Sequence, residues 1–119
     1  MEIMLMLNIY HNPRCSKSRR VLQLLRDHGC EPNIILYTQK SIGHDRLRRL
    51  ISKLGIPASA LLRRSEPLYK ELDLSSPSLQ DADMIDSMIK HPQLIERPII
   101  ERNERAVIAR PPEKAFDLL

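Results

Sequence analysis

The sequence predicts an α/β protein built on one mixed four-stranded sheet with helices on its faces. Three observations carry that prediction. A strand-like run, a helix-period run and a second β-rich run follow one another up to Tyr37; the pattern from His44 to His91 is helical throughout; and two short strand-like runs around Asn103 precede a final helix. In chain order these read βαβ, then helices, then ββα.

Leu5 to Tyr10 reads as a buried strand, broken by His11-Asn12-Pro13. Val21, Leu22, Leu24 and Leu25 then recur at helical spacing until Gly29, a good C-terminal stop. After Pro32, the run Asn33 to Tyr37 with Ile34 and Ile35 predicts a second strand, parallel to the first and joined to it by a right-handed crossover. Leu47, Leu50, Ile51 and Leu54 form one helical stripe, and Met84, Ile85, Met88 and Ile89 another. Ala60 to Arg63 and Leu68 to Leu74 read as shorter helical pieces set apart by Pro57, Pro67 and Pro77. Ser78 with Asp81 resembles a capping box, and Pro92 ends the last helix of this inserted layer. Pro98 to Arg102 and Ala106 to Ala109 predict a hairpin around Asn103. Pro111-Pro112 opens a final helix carrying Glu113, Phe116 and Leu119.

Length and composition bound the function. The 119 residues make one domain, 1–119, against a prior of roughly 100 to 200 residues per domain. Hydrophobic residues at 42% and charged residues at 29% exclude a disordered chain and a membrane protein. No Trp, one Phe and three Tyr leave no stacking platform for bases, so nucleic acid is not the expected partner. The net charge of +4 comes mostly from arginine, whose planar fork suits tetrahedral oxyanions. The apolar opening Met1 to Leu7 is far shorter than the roughly 20 residues of a membrane span and has Glu2 where a signal peptide is basic, so a cytoplasmic protein is expected. Two cysteines are too few for a disulfide framework and fit a reducing compartment. The four histidines and two cysteines have no metal-ligand spacing, so no metal is expected.

Cys15 falls in the turn between the first strand and the first helix, where unpaired backbone N–H groups and the positive end of the helix dipole favour a thiolate. An ordinary thiol, ionising near pH 8.5, needs roughly 2 kcal/mol of stabilisation to be half ionised at neutral pH. A helix terminus and nearby cations supply that, and His11, Arg14, Lys17 and Arg19 are close in sequence. The plainer alternative, a small residue packed in a tight turn, fits the polar and basic neighbourhood less well. Position 18 is Ser, so no C-x-x-C pair exists. An intervening helix of about 13 residues would hold Cys30 on the order of 20 Å away, too far for a disulfide. An oxidised Cys15 therefore needs an external thiol.

The segment His11 to Arg19, H-N-P-R-C-S-K-S-R, resembles the H-N-P-x-C-x-x-S-R motif of the ArsC family, the glutaredoxin-linked arsenate reductases, and among them the short YfgD-like members. Ala60-Leu61-Leu62-Arg63, Glu96-Arg97-Pro98-Ile99 and Ala109-Arg110-Pro111-Pro112-Glu113 are similar to three further motifs of that family, in the family's order. The resemblance implies a thioredoxin-like fold with a helical insert. It implies Cys15 as nucleophile, Arg63, Arg97 and Arg110 as the arginines that bind and polarise the oxyanion, and His11 as a residue that tunes the cysteine. Asn12, Ser18 and Arg19 would support the loop and the substrate, and Arg97-Pro98 would be a cis peptide beside the cysteine. Glutathione as co-substrate and glutaredoxin as partner follow from the same resemblance, with no tightly bound cofactor.

Physical chemistry points the same way. A thiolate attacking an arsenate-like dianion meets charge repulsion, which guanidinium groups oppose at about 1.5 to 3 kcal/mol per charge-assisted hydrogen bond. Arg26, Arg46, Arg48, Arg49 and Arg105 lie outside the motifs and read as solvated surface residues. Two other readings stand beside the arsenate reductase: a related oxidoreductase with another substrate, and a regulator similar to the Spx proteins, which bind RNA polymerase. Spx proteins usually carry C-x-x-C, against which Ser18 and the three arginines count.

Overall fold

The computed structural model describes residues 7–119, and the expectations for Met1 to Met6, including the first two residues of the strand begun at Leu5, lie outside the described residues. Two compact units emerge, one holding the chain up to Tyr37 and again from Arg97 to Leu119, the other the segment Thr38–Glu96.

The first unit contains the whole sheet: β1 Leu7–Tyr10, β2 Asn33–Ile35, β3 Ile99–Arg102 and β4 Arg105–Ile108, in the order β2-β1-β3-β4. β1 runs parallel to β2 with Ile9 opposite Ile34, and antiparallel to β3 with Ile9 opposite Ile100. β3 and β4 form the expected hairpin, with Asn103 at positive φ (53°) in its turn, a conformation asparagine tolerates. Helix α1, Ser16–Asp27, buries Val21, Leu22 and Leu25. It stops because Gly29 takes φ +78°, letting Cys30 N–H reach Leu25 O at 2.9 Å and Gly29 N–H reach Arg26 O at 3.0 Å.

Side chains alternate across the strands. Leu7, Ile9 and Ile100 join Val21, Leu22, Leu25, Ala115 and Leu118 in one core. Asn8, Tyr10 and Glu101 occupy the alternate positions, where the buried Glu101 Oε1 accepts from Asn8 Nδ2 (2.8 Å) and Tyr10 Oη (2.9 Å). The sequence reading missed this buried carboxylate, whose only signal was an acid inside the apolar strand run.

The second unit carries α2 His44–Leu54, α3 Ala58–Leu61, α4 Pro67–Glu71 and α5 Asp81–Lys90, followed by a 3-10 turn, Pro92–Leu94. α5 packs on α2, α3 and the 3-10 turn, burying Leu47, Leu50, Ile51, Leu61, Ile85, Met88 and Leu94. Boundaries differ from expectation for identifiable reasons. Helix α3 ends at Leu61, not Arg63, because Leu62 turns extended and bridges Ile95, with Glu96 N–H on Leu61 O (2.8 Å) and Arg63 N–H on Leu94 O (2.7 Å). Helix α4 ends before Leu74 because Asp73 adopts φ 51°, allowing Leu74 N–H to close back on Tyr69 O at 3.0 Å. The capping box of α5 is formed by Gln80 and Asp83 rather than Ser78 and Asp81, since Ser78 Oγ pairs with Ser76 Oγ at 2.9 Å.

The final helix is a 3-10 helix, Pro112–Leu118. Its buried residues are Ala115 and Leu118, a three-residue spacing matching three residues per turn, while Leu119 is exposed and Phe116 lies against the His28 ring at 4.6 Å.

Candidate active site

Every residue of the loop His11 to Cys15 belongs to the sheet unit, and the loop is held by its own neighbours. His11 N–H bonds Ile35 O at 2.9 Å, fixing the exit from β1. Asn12 O accepts from Cys15 N–H at 3.0 Å, and Asn12 Oδ1 accepts from Arg14 N–H at 3.0 Å. Arg19 Nη1 donates to Pro13 O at 2.9 Å. Ser18, fully buried, accepts from Asn12 N–H at 3.1 Å and shares a 2.6 Å hydrogen bond with His11 Nδ1. Asn12, Ser18 and Arg19 thus spend these contacts on the loop itself.

Cys15 is the N-cap of α1, with extended backbone (φ −95°, ψ 119°) and only 9% of its surface exposed. Its side chain closes no formal cap hydrogen bond, unlike the oxygen of a Ser or Asp cap. Burial pushes the thiol up, but the Ser18 N–H, the charge and hydrogen bond of the Arg97 guanidinium, and the Lys17 N–H outweigh it and bring Cys15 below the ordinary thiol range. The cation acting here is therefore Arg97, brought by the sheet from far along the chain, rather than the neighbouring side chains of Arg14, Lys17 or Arg19. His11 is held neutral, first by burial and then by the charges of Arg26 and Arg19, so its contact with the site runs through Ser18.

Arg97 is half-buried, and its Nε and Nη1 are buried with no hydrogen-bond partner among the described residues. Leaving such donors unpaired costs about 1–3 kcal/mol each, which an oxyanion beside the sulfur would recover. Arg110 Nε donates to Arg97 O at 2.8 Å and so braces the backbone that carries this guanidinium. The peptide Arg97-Pro98 is cis, as the resemblance implied, and so is Arg110-Pro111, which was not anticipated.

Arg63 belongs to the helical unit. Its Nη1 lies 3.4 Å from Glu66 Oε2 and its Nε 3.7 Å from Glu96 Oε1. These carboxylate partners were not foreseen, although Glu66 stands three residues from Arg63. Arg26 and Arg48 pair at the surface with Glu31 and Asp45, as solvated arginines do. Among the described residues no group of His, Cys, Asp or Glu is arranged to hold a metal.

A model of the ArsC family matches residues 10–117. The chain belongs to the ArsC family. It is 46% identical over 112 residues to the uncharacterized protein YfgD of Escherichia coli K12, covering 93% of this chain and 94% of that one. An arsenate reductase of Escherichia coli is 41% identical over 113 residues, covering 95% of this chain and 80% of its own length. Among solved structures, an arsenate reductase from Vibrio cholerae superposes with a TM-score of 0.95 at 42% identity, covering 98% of this chain and all of that one. The four-stranded mixed sheet with its helices is thus the thioredoxin-like fold of ArsC proteins.

Proposed function

We propose that this chain is a thiol-dependent reductase of arsenate or a similar oxyanion, with Cys15 as nucleophile and glutathione and glutaredoxin supplying the reducing equivalents. The observation that carries the reading is the pairing of a thiol held toward its anion with a guanidinium that keeps two buried donors unused beside it. The arsenate reductases among its relatives support the choice of oxyanion.

In this mechanism the Cys15 thiolate attacks the oxyanion centre; the sulfur–arsenic bond forms as an arsenic–oxygen bond breaks, and the departing oxygen is protonated from solvent and leaves as water. Arg97 binds the equatorial oxygens and stabilises the charge that builds on them, with Arg110 of the same unit adding to the cationic set. Glutathione then attacks the Cys15 sulfur. The sulfur–arsenic bond breaks, its electron pair passes to arsenic, and arsenite leaves with a Cys15–glutathione disulfide behind it. Glutaredoxin reduces that disulfide by thiol exchange, an external route that suits a site whose other cysteine lies beyond the far end of α1. His11 and Ser18 act as positioning residues for the loop. Residues 1–119 work as one ArsC-type domain. Two free thiols fit a cytoplasmic setting, and among the described residues no helix is long and apolar enough to cross a membrane.

The test is arsenate reduction coupled to glutathione and glutaredoxin. Cys15→Ser should abolish turnover, and Arg97→Ala should lower kcat by about 100-fold or more, as loss of an oxyanion-stabilising donor does. The exposed Arg49→Ala should leave the rate within about twofold of wild type. Full activity in Cys15→Ser, or equal effects at Arg97 and Arg49, would overturn the assignment.

A further inference from the structure

The groups that favour the anion of Cys15 are all hydrogen-bond donors: the Ser18 N–H, the Lys17 N–H and the Arg97 guanidinium. From Leu7 to Arg26 the chain carries no Asp or Glu, and the first turn of α1 has none. His11 is held neutral, with its Nδ1 engaged by Ser18 Oγ at 2.6 Å. The loop and the helix head therefore offer this sulfur groups that hold an anion, and no carboxylic acid that would protonate a departing one. Leaving groups differ in that need. An oxide displaced from an oxyanion centre departs only once protonated, whereas sulfite is stable as a dianion and departs without a proton. Cys15 is also nearly covered, so its partner in a displacement is compact. The buried Arg97 Nε and Nη1, without a hydrogen-bond partner among the described residues, suit several acceptor oxygens on one anionic head.

Resting on the reading that Cys15 is the nucleophile and Arg97 the oxyanion ligand, we propose that the same site transfers the outer sulfur of thiosulfate to an external thiol. The sulfonate head of thiosulfate takes the two unused Arg97 donors, and its outer sulfur meets Cys15. The Cys15 thiolate attacks that outer sulfur; a new sulfur–sulfur bond forms as the one inside thiosulfate breaks, and the electron pair leaves on sulfite. Arg97 holds the charge that builds on the departing oxygens. Cys15 is left as a persulfide. Position 18 is Ser and Cys30 lies past the far end of α1, so no second thiol of the chain takes the sulfur on. Glutathione does: its thiolate attacks the outer sulfur, the Cys15 thiolate leaves, and glutathione persulfide departs. Neither step consumes an oxidant, a reductant or a proton.

The experiment uses the whole chain, with thiosulfate in place of arsenate. Wild type should release sulfite and gain the mass of one sulfur atom, which peptide mapping should place on Cys15 and not on Cys30. Added glutathione should carry that sulfur off as its persulfide and make sulfite release continuous. Cys15→Ser should release none. Arg97→Ala is compared at about pH 9.5, above the ordinary thiol value, so that both thiols are ionised. There it should react with iodoacetamide within about threefold of wild type, yet take sulfur from thiosulfate on the order of 100-fold more slowly. In wild type, inorganic phosphate should slow the transfer saturably by occupying the Arg97 donors. If wild type alkylates at Cys15 and reduces arsenate but takes no sulfur, if Arg97→Ala takes it as fast, or if phosphate has no effect, sulfur transfer is overturned while the reductase stands. Loss of both alkylation at Cys15 and arsenate reduction in wild type would sink the reductase and the transfer together.

Discussion

At Cys15 two effects compete. Burial favours the neutral thiol, while the Ser18 N–H, Arg97 and the Lys17 N–H favour the anion, and the anion gains. Arg97→Ala removes the one cation among these, so the pH profile of iodoacetamide alkylation should move to higher pH. An unchanged profile would mean the helix terminus alone sets the ionisation. The same balance has a consequence for stability. The folded state holds the thiol below its ordinary range and the unfolded chain does not, so the stabilisation is fully present above about pH 8.5, where the unfolded thiol ionises, and is lost as pH falls through the lowered value of the folded protein. The stability gap between wild type and Cys15→Ala, measured by urea unfolding, should therefore widen with rising pH across that window. His11, by contrast, is kept neutral in a 2.6 Å contact with Ser18, so the histidine written into the motif supplies geometry rather than charge.

At the scale of elements, the N-terminal end of α1 works against its own helix dipole. It begins on a cysteine, holds no acid in its first turn and presents cations there. Lys17→Glu should stabilise the protein by about 0.3–1 kcal/mol through the helix dipole, visible as a rise of roughly 1 to 5 °C in Tm. A fall in Tm would show that Lys17 has a structural partner after all. The 12 residues of α1 also span about 18 Å, which keeps Cys15 and Cys30 at opposite ends of a rigid rod.

For the whole molecule, stability rests on how the segment before Thr38 and the segment from Arg97 onward close into one sheet. Ile100 stands at that closure: fully buried on β3, opposite Ile9 on one side and Val107 on the other. Ile100→Ala should cost about 2–5 kcal/mol, measured by urea denaturation. That is a large share of the roughly 5–15 kcal/mol by which a domain this size is stable. A loss under about 1 kcal/mol would mean the sheet does not depend on this pairing.

The order of strands and helices, the stop at Gly29, the turn at Asn103 and the place of Cys15 at a helix head were all legible in the sequence, because each depends on periodicity or turn chemistry within a few residues. The short helices were legible only roughly, since Leu62 and Asp73 answer to a bridge and a left-handed turn that no local pattern announces. The site divides along the same line. Motif resemblance named Arg97, but its pull on the thiol and its two unused donors exist only because the chain from Arg97 onward returns to pair with β1, 82 positions after Cys15. The neutrality of His11, the carboxylates facing Arg63 and the burial of Glu101 were likewise decided by tertiary structure, for charge and desolvation depend on distance in space, which a linear pattern does not encode.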